Sequence, residues 1–167
     1  MNIAQTERTD IANIEIVDAE FILKLVNCPA WLRYIGDRNI RDIGEAEQYL
    51  RTGFLKQYSE NGYSYYVVRL KNDIPIGICG FLKKPHLENP DFGFAFLPAY
   101  VGQGYGYEAG LATLVYGVKQ FDFHELDAET SASNVASIRL LEKLGFDYLG
   151  PLCHPENQDS RLYRWRR

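Results

Sequence analysis

The stretch YVGQGYGYEAG, residues 100–110, sets glycines at three alternate positions, Gly102, Gly104 and Gly106, before Glu108 and Ala109 open a helix-like pattern. Upstream, Phe92 to Leu97 is aromatic and apolar and ends at Pro98, which has no N–H to give a ladder, so it reads as a strand. Alternate glycines between a strand and a helix N-terminus leave several backbone N–H groups uncrowded, and the helix dipole adds partial positive charge there. Such a turn suits a phosphate or pyrophosphate. A tight turn that merely needs positive φ angles is the plainer alternative. No lysine stands in this stretch, which removes the Walker-type NTP loop. Gly104, Gly106 and Ala109 do satisfy G-x-G-x-x-A, and Glu129 follows about twenty residues later, as in a dinucleotide site. Against that reading, about 100 residues precede the motif, fewer than about 40 follow Glu129, and no second mononucleotide half exists.

Working outward, 167 residues with 46% hydrophobic and 14% aromatic content suffice for one domain, residues 1–167, with a substantial core. The net charge of −4 argues against a nucleic-acid partner gripped by the overall field and suits cationic substrates slightly better. Nothing at the N-terminus resembles a secretory segment, and no apolar run approaches the length of a membrane span. With Cys28, Cys79 and Cys153 odd in number and scattered, a reduced cytoplasmic location is expected. His86, His124 and His154 are far apart and lack i, i+4 partners, so no metal is expected.

Periodicity orders the rest of the chain. A strand is expected around Thr9 to Glu15, then a helix capped by Asp18 with Phe21, Ile22 and Leu25 on its apolar face. A second helix begins at Asp42, with Glu45 completing a capping box, and runs to the stop signal Asn61-Gly62. The period then changes to 2: Tyr63 to Leu70 and Ile74 to Leu82 read as a hairpin around Lys71-Asn72-Asp73. Beyond the glycines a helix carries Leu111, Ala112, Val115 and Val118 on one side, followed by a strand from Glu125 to Thr130. A last helix from Asn134 to Leu144 ends at Gly145, and strands at Phe146 to Leu149 and Leu162 to Trp165 close an α+β chain.

On the last helix, Ser137, Leu140, Leu141 and Leu144 share one face, so a lone hydroxyl sits on an apolar stripe. Its plain structural role is a bond back to the carbonyl four residues earlier. Asn134 has an equally plain role as the N-cap.

At these residues the chain resembles a known family. The segment Asp91 to Ala109 (DFGFAFLPAYVGQGYGYEA), followed by Glu129 to Phe146 (ETSASNVASIRLLEKLGF), resembles the GNAT superfamily of acetyl-CoA-dependent N-acetyltransferases. Thr6-Glu7-Arg8, the Asp18 helix and the run Trp31 to Asp37 (WLRYIGD) resemble its ribosomal-protein N-terminal acetyltransferase branch. The resemblance implies a mostly antiparallel sheet with a splayed central strand pair and flanking helices. It implies that backbone groups of Gly102, Gln103, Gly104, Tyr105 and Gly106 hold the coenzyme A pyrophosphate. It also implies that Phe96 and Leu97 pair with the pantetheine arm like an added strand. Asn134 would hydrogen-bond that arm, and Ser137 would face the thioester sulfur. Many superfamily members carry Arg or Gln where Val101 stands and a Tyr general acid where Leu141 stands; here the acid role shifts toward Ser137.

The implied reaction is direct acetyl transfer from acetyl-CoA, with no metal, to a primary amine of a small molecule or a protein N-terminus. An ammonium must lose a proton before it attacks, and Asp91 and Glu129 are the candidate bases, each with a solvated-surface alternative. Trp31 and Tyr34, with Tyr63, Tyr65 and Tyr66, are candidates to line the acceptor pocket. The C-terminal RLYRWRR reads as an edge strand guarded by charges rather than an RNA contact. No membrane association is expected, and the chain is either a monomer or a homodimer. A non-catalytic acyl-CoA-binding module, or more distantly a dinucleotide-binding protein, is the alternative.

Overall fold

β-branched and aromatic residues from Tyr65 to Leu70 and a second apolar run from Pro75 to Leu82 form strands β3 and β4, joined by a turn in which Asp73 takes a φ of 67°. The computed structural model describes residues 1–153 and 159–167; His154 lies outside them. Around the hairpin stand strands β1 (Asn2–Gln5), β2 (Thr9–Asn13), β5 (Asp91–Phe96), β6 (Glu125–Ser131), β7 (Asp147–Pro151) and β8 (Ser160–Arg166). The helices are α1 (Ala19–Val26), α2 (Pro29–Tyr34), α3 (Ile43–Thr52), α4 (Phe54–Asn61), α5 (Tyr105–Phe121) and α6 (Val135–Lys143). Together the strands make one eight-stranded sheet in the order β1-β2-β3-β4-β5-β6-β8-β7. Every neighbouring pair is antiparallel except β5 and β6. This is the expected α+β architecture.

Strand alternation gives the sheet two cores. Tyr66, Val68, Phe81 and Phe92 pack with Ala109 and Leu114 of α5 and Leu141 of α6. Val67 and Ile78 face the other way, onto Phe21, Leu25, Trp31, Leu50 and Phe54 of α1 to α4.

Several elements differ from the sequence reading. Strand β1 and helix α2 have no counterpart in it, since four and six residues are too few to show a period. The long helix after Asp42 is two helices, broken at Gly53, which lets Phe54 meet Tyr49 and Tyr65 edge-on at 5.3 and 5.2 Å. Asp42 does cap α3, accepting the Glu45 N–H at 2.8 Å, while the Glu45 carboxylate reaches past it to the Arg41 N–H. Asp18 makes no capping bond into α1; its buried carboxylate takes the Glu15 N–H and the Arg69 guanidinium. On α5 the buried positions are Ala109, Gly110, Thr113, Leu114 and Gly117, and Leu111 and Val115, from the side that carries Ala112 and Val118, are exposed. That helix is apolar on both sides, so periodicity alone does not choose its face.

The C-terminal strand is interior rather than an edge, because β7 folds outside it. Arg164 accordingly bridges to the fully buried Asp127 at 2.7 Å and to Glu88 at 2.8 Å. Arg164→Leu would strand the Asp127 carboxylate with only the Asn89 donors at 3.2 and 3.4 Å. We expect a loss of about 2 kcal/mol in urea unfolding, below the usual range for a broken buried pair because Asn89 stays in place. An unchanged midpoint would show that the pair is replaceable.

Candidate active site

At the glycine turn, each glycine has its own structural reason. Gly102 and Gly104 take φ values of 76° and 86°, a region that L side chains avoid. Gly106 lies where a Cβ would come within 2.8 Å of Leu140 Cδ2, so it allows α6 to close on α5. The plain reading of the turn therefore accounts for the glycines themselves. What it leaves open is the start of α5, where Gly104 is the N-cap and no side chain bonds the first-turn N–H groups.

A carboxylate in that first turn would repel an anion, and Glu108 is such a carboxylate. It is turned away and neutralised. Its oxygens accept from the Thr6 hydroxyl at 2.5 Å, the Arg8 N–H at 2.9 Å and Arg8 Nε at 2.6 Å. Burial works against its charge, but these donors outweigh it and hold the carboxyl below the usual range. Arg8 also donates from Nη1 to the Gln103 carbonyl at 2.9 Å and lies 4.4 Å over the Tyr105 ring. Thr6-Glu7-Arg8 thus acts through Thr6 and Arg8 to pin the turn and place a guanidinium beside Gly104, a role the residues alone do not reveal.

The single parallel pair is where the sheet opens. Strands β5 and β6 share one Cα pairing, Asp91 with Asp127, and diverge beyond it. The Leu97 N–H is spent on the Ile76 carbonyl at 2.9 Å, and its carbonyl accepts from Tyr100. These bonds occupy the Leu97 N–H and leave only the second lone pair of its carbonyl to a ligand strand. Alternation along β5 directs the backbone groups of Phe94 and Phe96 into the opening instead.

A cavity of about 190 Å³ lies in this opening. Asp91, Lys84 and Glu129 form one part of its wall. Lys84 Nζ stands 3.0 Å from Asp91 Oδ2 and 3.5 Å from Glu129 Oε2. The second Asp91 oxygen accepts the Glu129 N–H at 3.2 Å, and Glu129 also accepts from Ser160 at 3.1 Å. His86 Nε2 lies 3.0 Å from Glu129 Oε2 on the solvent side. Asp91 is 2% exposed, so its surface alternative is ruled out. Burial pushes its carboxyl up, with the Lys84 ammonium opposing only in part. Burial also disfavours the Lys84 charge, but two carboxylates outweigh it and raise its pKa. A buried carboxyl whose charge Lys84 answers only in part suits a proton acceptor. Glu129 is committed to these partners, which leaves it no role as a ribose acid.

Asn134, the N-cap of α6, and Ser137 and Leu141 on that helix also line the cavity. Asn134 does cap the helix, its Oδ1 accepting the Ser137 N–H at 3.2 Å. The Ser137 hydroxyl accepts from Thr130 Oγ1 at 3.0 Å rather than bonding back along α6, so its own proton is available to the cavity. Trp31, Tyr34, Tyr49, Phe54 and Tyr65 line the remaining wall with Arg38. Of the tyrosines expected there, Tyr63 and Tyr66 sit instead in the α5-side core. Burial, and then the neighbouring Asp91, push the Tyr65 phenol far up, so it stays neutral. A Cβ at position 93 would overlap that hydroxyl, which explains Gly93.

Sequence reasoning misses Lys84, His86, Thr130 and Arg38, whose roles depend on chain crossings with no local signature. Among the described residues no group of three or more His, Cys, Asp or Glu is placed to hold a metal ion, and no helix is long and apolar enough to cross a membrane.

A mostly antiparallel sheet split at one parallel pair, with a glycine turn after the split strand, is the fold of an acetyltransferase. It superposes on RimL, a ribosomal L7/L12 α-N-protein acetyltransferase in complex with coenzyme A, with a TM-score of 0.86 at 16% identity over 99% of this chain and 98% of that one. A point mutant of the spermidine N-acetyltransferase SpeG from Vibrio cholerae gives 0.74 at 18% identity over 96% and 95%. The family model of the acetyltransferase (GNAT) domain matches residues 8–147, and the chain belongs to that family. Among curated sequences, the uncharacterized N-acetyltransferase p20 of Bacillus licheniformis is 24% identical over 165 residues, 97% of this chain and 92% of the relative.

Proposed function

We propose that the protein transfers an acetyl group directly from acetyl-CoA to a primary amine, of a small molecule or a protein N-terminus, in the cytoplasm. The observation that supports this reading is the opening between β5 and β6, where one cavity is lined by both Ser137 and the buried Asp91. The residues fit acetyl-CoA: N–H groups of Gly102, Gln103, Gly104, Tyr105 and Gly106 take the pyrophosphate, and Phe96 pairs with the pantetheine arm beside Asn134. The thioester supplies the acetyl group.

Asp91 takes one proton from the incoming ammonium, freeing its lone pair. Lys84 and Glu129 hold Asp91 in place, and His86 passes the proton from that cluster to solvent. A backbone N–H of β5 donates to the oxygen that becomes negative as the C–N bond forms. Ser137 donates to the sulfur as the C–S bond breaks, and the second proton lost by nitrogen ends on the thiol.

Thiol release from acetyl-CoA over N-terminal peptides and small amines tests the reading. Ser137→Ala is expected to lower kcat by about tenfold, the worth of one hydrogen bond, with the acetyl-CoA Kd from calorimetry within about twofold. Equal turnover would return Ser137 to a packing role. Binding of acetyl-CoA without thiol release to any amine would leave only a binding module.

A further inference from the structure

Two hydroxyls in the cavity wall are each exceptional on their own element. Leu126, Ala128 and Thr130 are alternate residues of β6 and share one face; the first two are buried in the core that α5 and α6 cover. Thr130 therefore ends an apolar row with a polar atom, just as Ser137 interrupts the apolar stripe of α6. At 8% exposure the Thr130 hydroxyl needs a partner inside the protein, and it donates to Ser137 Oγ at 3.0 Å. Both residues line the cavity. Packing alone does not ask for the pair, since a valine at 130 would continue the row with nearly the same shape. Helix α6 is already held to the sheet by the buried Leu141 and Leu144. The bond has a direction with chemical meaning. Thr130 is β-branched and fixed in the β6 ladder opposite Arg161, so its hydroxyl has few orientations. A serine hydroxyl turns freely and otherwise bonds back to its own helix. Asn134 Oδ1 holds the Ser137 N–H, Thr130 occupies a lone pair of its oxygen, and among the described residues no hydrogen bond uses its proton.

We propose that Thr130 is a positioning residue for the leaving group: by donating to Ser137 Oγ, its hydroxyl turns the Ser137 proton toward the thioester sulfur. The proposal rests on the acetyl-transfer reading and adds to it a residue that does not itself touch the substrate. As the C–S bond breaks, its electron pair passes to sulfur, and the Ser137 hydroxyl donates a hydrogen bond to the charge that develops there. Thr130 loses no proton in the step. A hydroxyl that accepts one hydrogen bond is polarised to donate a stronger one, so the chain from Thr130 through Ser137 to sulfur strengthens as the charge grows.

The test is a double-mutant cycle, run with acetyl-CoA and whichever N-terminal peptide or small amine turns over fastest. Thr130→Val should lower kcat about fivefold, the worth of one neutral hydrogen bond, with the KM for acetyl-CoA within about twofold. Thr130→Ala, which removes the hydroxyl without adding a methyl, should repeat that result, and Thr130→Ser should recover most of the loss. With Ser137→Ala already in place, Thr130→Val should change kcat by less than about twofold, because the proton it orients is gone. A tie that merely holds α6 to β6 would cost stability in urea and would act on turnover equally in both backgrounds. Unchanged kcat in Thr130→Val and Thr130→Ala, a serine variant no better than the valine, or a loss that persists without the Ser137 hydroxyl would each overturn the proposal. So would Ser137→Ala with wild-type turnover. In all of these cases amines still turn over and acetyl transfer stands; if no amine releases thiol, the transfer reading itself falls and this proposal with it.

Discussion

Asp91→Asn is expected to lower turnover by about a thousandfold, the middle of the range for a lost general base, with acetyl-CoA binding within about twofold. Asparagine keeps an oxygen for the Glu129 N–H but accepts no proton. The pH profile sharpens the test. Burial raises the Asp91 carboxyl above its ordinary 3.8, so in the wild type kcat/KM should fall as pH drops through that raised value. The limb should be absent from whatever activity the variant retains. A raised acid binds its proton more tightly in the folded state than in the unfolded one. Its contribution to stability is therefore present below 3.8 and is lost as pH rises through the folded value. Burial favours the protonated carboxyl of Asp91, and the Lys84 ammonium at 3.0 Å opposes that only in part. Turnover within about threefold of wild type would move the base role to Glu129.

Gly104→Val should weaken acetyl-CoA binding by about a hundredfold, equivalent to losing two N–H bonds to phosphate at roughly 1.5 kcal/mol each. The residue sits at a φ of 86°, where a β-branched side chain is strained, and its Cβ would stand 3.2 Å from Arg8 Nη2. Either the turn shifts or the guanidinium does, and both displace the donors. S-acetylpantetheine, which lacks the pyrophosphate, provides the internal control: its KM should be the same for both proteins. A weaker response to acetyl-CoA matched by an equal one to S-acetylpantetheine would mean general damage to the cavity. An unchanged Kd for acetyl-CoA would remove the turn from the phosphate site.

Much of the fold is legible where the signal is local. The Lys71-Asn72-Asp73 turn, the Gly62 and Gly145 stops and the Asn134 cap each follow from what one or two residues allow their own backbone to do. The departures share another cause. Leu111 and Val115 share one apolar side of α5, but the helix is apolar on both sides and only its packing on the sheet buries the opposite one. RLYRWRR reads as an edge because nothing in it shows that β7 lies outside it.

The candidate site divides in the same way. Ser137 and Asn134 lie three residues apart on one helix, and the glycines follow closely along the chain, so periodicity and spacing expose them. Asp91 and Glu129 stand out only as acids on strands; their union with Lys84 and His86 spans up to 45 residues of chain. Local chemistry is enough to set the period of each long element, the φ that Gly104 must adopt and the lone hydroxyl on α6. Packing selects which carboxylate is buried and which backbone edge is free. Those properties arise from neighbours brought together by strand order, which no local stretch of the chain contains.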